Sequence, residues 1–222
     1  MLFRSEFLDE DAVLIGDGGD VVAQMASHFQ PARSGHWMDP GPFGCLGIGA
    51  PFAIAARIAR PKHQVAVLFG DGSFGFNGFE FETAVRHRLP FVGIVGHDGA
   101  WGEMRTFHEE LFGPEFMQCQ YLSRDTRYDK VVEALGGFGQ RVERMSELRP
   151  ALERAFAAGV PALIDVMLDP SYRRPADTIS GKHVATAFGQ GNPNAFRRPA
   201  PDLATAPLRR NASRRLRTAE TS

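Results

Sequence analysis

Apolar residues come in two spacings along this chain, and the alternation between them predicts its fold. Short continuous apolar runs stand at 12–16 (AVLIG), 64–70 (QVAVLFG), 91–96 (FVGIVG) and 161–168 (PALIDVML), with a shorter strand-like stretch at 140–144 (QRVER). Unbroken runs of this length suit parallel strands covered on both faces. Between them lie stretches with helical spacing: one ending near Phe29, then 44–60, 76–88, 127–139 and 145–159. The 44–60 stretch, GCLGIGAPFAIAARIAR, is apolar nearly all round, which predicts a helix buried on most faces. Residues 30–43 carry three prolines and read as a loop. The last helix opens with Ser146 as N-cap and has Arg149, not Glu, three residues on, so no capping box is expected.

Strand–helix repetition predicts an α/β domain: a doubly wound parallel sheet in three layers, with right-handed crossovers. In such sheets ligands lie beyond the carboxyl ends of the strands. Three expected strands end in glycine-acid turns: Gly16-Asp17-Gly18-Gly19-Asp20, Gly70-Asp71-Gly72-Ser73 and Gly96-His97-Asp98-Gly99. All three then share one edge.

Charge changes the picture at the C-terminus. The 222 residues carry net −1, yet residues 171–222 hold ten Lys and Arg against three acids, leaving minus eight on residues 1–170. The domain is therefore expected over 1–170. Residues 171–222, basic and rich in Pro, Ala and Arg, are expected to be a disordered tail. Without interleaved aromatics or a nucleic-acid-binding signature, the tail reads as solvated and nucleic acid is not an expected partner. No apolar stretch approaches a membrane span and no signal peptide is visible, so a cytoplasmic location is expected. Cys45 and Cys119 form neither a CxxC nor a disulfide framework.

Glycine turns after strands let backbone N–H groups approach an anion, and Ser73 offers a hydroxyl to the same phosphate oxygens. Carboxylates beside a diphosphate repel it unless a hard cation lies between them, which makes Asp71 the candidate metal ligand. GDGGD at 16–20 lacks the GxGxxG spacing of a dinucleotide binder.

The longer pattern is more specific. GDG, a helix, LP, a strand and then a polar residue 26 positions after Asp71 resembles the diphosphate signature of thiamine-diphosphate enzymes. The stretches WMDPGPFGCLGIGAPFAIAARIARP, GDGSFGFNGFEFETAVRH and DGAWG are similar to the acetolactate-synthase-like and 2-hydroxyacyl-CoA lyase branch. The resemblance runs from about residue 10 to residue 170. It implies that Asp71, His97 and Gly99 hold Mg²⁺, Gly99 through its carbonyl. It implies that Gly19, Asp20, Gly72 and Ser73 contact the diphosphate. The Gly44 carbonyl would accept the aminopyrimidine 4′-amino group, and Leu46 would bend the cofactor. Trp101 follows the metal loop.

His97 stands where the resemblance leads one to expect Asn. Imidazole suits Mn²⁺ better than Mg²⁺, which leaves open a weakened site, a different ion, or Asp98 as the substitute ligand. The family's glutamate that activates the aminopyrimidine comes from a pyrimidine-binding domain, and Glu80 and Glu82, on the helix after GDGS, are not assumed to replace it. The expected function is therefore the diphosphate half of a carboligase or lyase acting on 2-oxo acids or 2-hydroxyacyl-CoA. It would work as a homodimer or with a separate pyrimidine-domain subunit. The alternative is a non-catalytic remnant or binding module of such an enzyme.

Overall fold

A computed structural model describes residues 7–28, 31, 33–116 and 119–172. The chain divides into two units, Met1–Arg174 and Pro175–Ser222, and all described residues belong to the first. The expected tail, but for residues 171 and 172, lies outside them.

Six parallel strands form one sheet in the order β2-β1-β3-β4-β6-β5. They are β1 (Val13–Asp17), β2 (Trp37–Met38), β3 (Val65–Gly70), β4 (Val92–His97), β5 (Phe138–Val142) and β6 (Ala162–Met167). The helices are α1 (Asp20–His28), α2 (Gly49–Ala59), α3 (Asp71–Asn77), α4 (Glu80–Arg86), α5 (Gly102–Phe112), α6 (Tyr128–Ala134) and α7 (Met145–Ala157). One face of the sheet packs against α2, α3, α4 and α6, through Val13, Ile15, Val67, Phe69, Val95 and Leu163. The other face carries α1 and α7, with Met25, Ala151, Leu152 and Ala155 buried against it. This is the expected three-layer α/β architecture.

Several boundaries differ from the sequence reading, each for a local reason. Within the expected loop at 30–43, Trp37 and Met38 pair with Leu14 and Ile15 as a short edge strand. The helix expected over 44–60 starts only at Gly49 and buries one face, through Ala50, Ala53 and Ala56, while Ile58 is 66% exposed. Small alanines allow close approach to β1 and β3, so one face suffices. The single helix expected at 76–88 is two, α3 and α4, and α3 begins at Asp71, so GDGS is a first helical turn. Gly136, at φ +92, follows α6 and frees Phe138 to start β5. The α7 cap lies two residues earlier than expected. Arg144 is the N-cap, and Glu147 accepts the N–H groups of Glu143 and Arg144, both at 3.2 Å. Helix α5 had no strong apolar period to announce it.

An aromatic cluster locks β3 and β4 to α3 and α4. Phe81 is fully buried, with its ring centroid 4.8 Å from Phe91, 5.9 Å from Phe74 and 6.4 Å from Phe69. Phe81→Ala is expected to cost about 3–5 kcal/mol in denaturant unfolding, because the ring occupies the junction of four elements. A loss under about 1 kcal/mol would show that the site collapses around the cavity.

Candidate active site at the carboxyl edge of the sheet

Four polar residues continue the core face of four strands at their carboxyl ends: Asp17, Asp71, His97 and Asp165, each at most 2% exposed. A buried polar group costs free energy unless bonded, and each of these is bonded. Asp17 accepts the N–H groups of Gly47 (3.0 Å) and Gly49 (2.7 Å), fixing the turn before α2. Burial pushes its carboxyl above the usual range against the pull of those two bonds. Asp71 accepts Gly72 N–H and Gly99 N–H, both at 2.8 Å, which ties the end of β3 to the loop after β4.

A cavity of about 720 Å³ opens at this edge, with Gly19, Asp20, Gly44, Leu46, Asp71, Gly72 and Ser73 in its lining. Seven of the nine residues implied by the sequence resemblance therefore meet at one place. Asp98, Ala100, Trp101 and Glu103 line it as well. Two of the lining glycines have no easy substitute. A Cβ on Gly72 would stand 2.6 Å from the Trp101 ring, and Gly18, at φ +140, would put one 3.2 Å from Gly70 N. Bare backbone thus faces the cavity where a phosphate needs N–H donors.

His97 and Gly99, unlike the other seven, do not line the cavity. The His97 ring is fully buried; Nδ1 lies 2.9 Å from Asp165 Oδ1 and Nε2 lies 3.2 Å from the Ser123 carbonyl. Both nitrogens are committed, and Tyr128 packs edge-on at 4.9 Å. Burial disfavours the imidazolium, but the Asp165 bond and charge outweigh it and raise the pKa of the ring. Arg141 completes the group, 3.0 Å from Asp165. The signal was present in the sequence: an aspartate inside the apolar run ALIDVML needs a buried partner. The Gly99 carbonyl accepts Leu122 N–H at 2.8 Å. Ser73 also departs from expectation. Its Oγ lies 2.6 Å from the Asp17 carbonyl and 2.9 Å from the Gly70 carbonyl, so its one proton serves the protein backbone.

From the same loop, Asp98 and Ala100 do line the cavity. Ala100 forms an antiparallel bridge with Tyr121, flanked by Leu122 N–H to Gly99 and Trp101 N–H to Gln120 at 2.8 Å. In such a bridge the central residue turns its own N–H and C=O away from its partner. Ala100 N–H reaches Asp98 Oδ1 at 3.2 Å, so the Asp98 carboxylate lies on the side to which the Ala100 carbonyl turns. Asp71 feels Asp98 directly. Burial first, and then the Asp98 charge, push the Asp71 carboxyl up to about 6, against the Gly99 and Gly72 N–H groups and His97. Among the described residues no three His, Cys, Asp or Glu side chains form a metal cluster. Two carboxylates and a carbonyl leave room for ligand oxygens from a bound molecule.

A parallel sheet whose glycine-rich carboxyl edge presents paired carboxylates defines an α/β domain suited to a phosphorylated ligand and a hard cation. Residues 17–166 match the thiamine pyrophosphate enzyme C-terminal TPP-binding domain. The chain belongs to this family. It is 46% identical over 168 residues to the acetolactate synthase large subunit IlvG of Mycobacterium tuberculosis, covering 76% of this chain and 30% of that protein. It is 38% identical over 152 residues to the 2-hydroxyacyl-CoA lyase 2 of Caenorhabditis elegans, covering 68% and 23%. Among solved structures it is similar to the Rhodococcus jostii thiamine diphosphate-dependent 4-hydroxybenzoylformate decarboxylase, with TM-score 0.66, 26% identity, and coverage of 73% of this chain and 30% of that one. The chain thus spans less than a third of these proteins.

Two outcomes follow from the edge geometry. In metal-free protein the Asp71 carboxyl ¹³C resonance is expected to titrate near pH 6. Its folded pKa exceeds the reference 3.8, so its contribution to stability is full below pH 3.8 and is lost as pH rises through 6. A midpoint below about 4.5 would contradict the burial and pairing described. His97→Ala is expected to destabilise the fold by about 3 kcal/mol in denaturant, because it strips Asp165 of a buried partner. It should leave the preference between Mg²⁺ and Mn²⁺ unchanged; a changed preference would return the imidazole to the metal.

Proposed function

We propose that this domain holds thiamine diphosphate through one divalent cation, Mg²⁺ or Mn²⁺, as the diphosphate half of an acetolactate-synthase-like carboligase or lyase. The observation that carries the reading is the meeting of Asp71, Asp98 and Ala100 with the glycine turns in one cavity at the carboxyl edge. Asp20, Glu103 and Asp169 line it too, so a bare diphosphate would meet five carboxylates. A cation reconciles the two: Asp71, Asp98 and the Ala100 carbonyl supply hard oxygen ligands, and the diphosphate supplies others. The backbone around Gly18, Gly19, Gly72 and Ser73, with the starts of α1 and α3, receives the remaining phosphate charge. Gly44 and Leu46, also in the lining, suit the aminopyrimidine. When bound, the cofactor supplies the electron sink for cleaving or forming a carbon–carbon bond next to a carbonyl.

The 2-oxo acid or 2-hydroxyacyl-CoA class of substrate is proposed by likeness to the synthase and lyase relatives. The site needs a second surface. Glu80 and Glu82 do not line the cavity. Beside the Gly44–Gly47 turn, Phe43, Phe76 and Phe79 are 90%, 59% and 75% exposed, and Asn77 donates to the Gly47 carbonyl at 2.7 Å. Exposed aromatics at a cofactor mouth suit burial by a pyrimidine-binding domain, from a second copy or another subunit, which brings the activating glutamate.

Calorimetry should show thiamine diphosphate binding that requires Mg²⁺ or Mn²⁺, and Asp71→Ala should weaken it by roughly 100-fold or more. The chain alone should not turn over pyruvate. Metal-independent binding, or an unaffected Asp71→Ala, sinks the cation reading; robust turnover by the single chain sinks the half-site reading.

A further inference from the structure

Behind Asp98 stands a cation that the cavity does not see. Arg105, in the first turn of α5, has a side chain only 3% exposed and is not part of the cavity lining. Its Nη2 donates to Asp98 Oδ2 at 3.0 Å and to the Tyr172 carbonyl at 3.4 Å. Its Nε is buried with no hydrogen-bond partner. A buried guanidinium is costly, and Asp98 is the carboxylate that compensates it. The other Asp98 oxygen accepts Ala100 N–H, so the carboxylate is gripped at both ends and its orientation is set. Arg124, another guanidinium at this loop, binds the Asp98 and Leu168 carbonyls at 3.1 and 3.0 Å.

We propose that Arg105 is a positioning residue that orients Asp98 and offsets its charge, so that the cation is held firmly only together with the diphosphate. The inference rests on the cofactor reading above. Without Arg105, Asp71 and Asp98 would present two uncompensated carboxylates, enough to retain a divalent cation by themselves. With a guanidinium directly behind Asp98, Coulomb repulsion weakens the bare cation. The diphosphate would restore the deficit with its own anionic oxygens. Cation and diphosphate become mutually dependent ligands, and by linkage each strengthens the other by the same factor.

Electron paramagnetic resonance of Mn²⁺ reads this without any turnover. In the wild type, thiamine diphosphate should tighten Mn²⁺ binding by about 100-fold, within the usual range of coupling between sites. Arg105→Gln should bind bare Mn²⁺ about tenfold tighter, with the coupling factor reduced about tenfold. Arg105→Lys keeps the charge and should bind bare Mn²⁺ close to the wild type. A folded Arg105→Gln with unchanged bare affinity and unchanged coupling overturns the proposal. If that variant does not fold, the wild type decides alone: a coupling factor near one overturns it. A wild type that binds neither Mn²⁺ nor thiamine diphosphate rejects the cofactor reading itself, a result distinct from binding both without coupling.

Discussion

The carboxylate of Asp71 holds the working edge of this domain together. It accepts one N–H from the helix that begins at its own position and one from Gly99, across the gap between β3 and the loop after β4. Asp17 repeats the device one strand over, gripping the turn before α2 through Gly47 and Gly49. The edge is therefore ordered by carboxylate-to-backbone bonds. Such bonds fix backbone positions while leaving carboxylate lone pairs for a cation. Asp71 bears a cost for this, since burial and Asp98 both oppose its charge. A cation at the same point would remove that opposition.

His97 shows how a residue beside a site can belong to the framework. Along β4 it follows Val95 on the core face, and Asp165 reaches it from β6. The triad of His97, Asp165 and Arg141 joins β4, β6 and β5 where the apolar core ends. Its neighbour Asp98 lies past the end of the strand, free of the pleat, and enters the cavity. One residue of separation divides a side chain buried in the framework from one that lines the cavity.

The fold was legible because four strands are continuous apolar runs closed by glycine or a polar turn, a pattern that suits a sheet covered on both faces. The location of the site was legible for the same reason, since parallel strands bring their carboxyl ends to one edge. Which groups of the last turn line the cavity was not legible. Which carbonyl in His97-Asp98-Gly99-Ala100 faces the cavity depends on the bridge to Tyr121, twenty-one residues away in sequence. Strand β2 escaped notice because two residues between proline-rich turns carry no periodicity. Helix α5 escaped because Arg105 and Thr106, both polar, occupy buried positions on it.

The bridge between Ala100 and Tyr121 also isolates what lies between its two ends. The chain leaves the site at Trp101, runs through α5, and returns at Gln120, where the Trp101 N–H meets the Gln120 carbonyl. It is an excursion clipped shut at its base. Loop-closure entropy grows only slowly with length, so residues beyond the first turn of α5 can be added, lost or exchanged with little penalty to the base. The Ala100 carbonyl would stay where it is. The excursion can thus vary in length and chemistry while the clipped base keeps its backbone geometry.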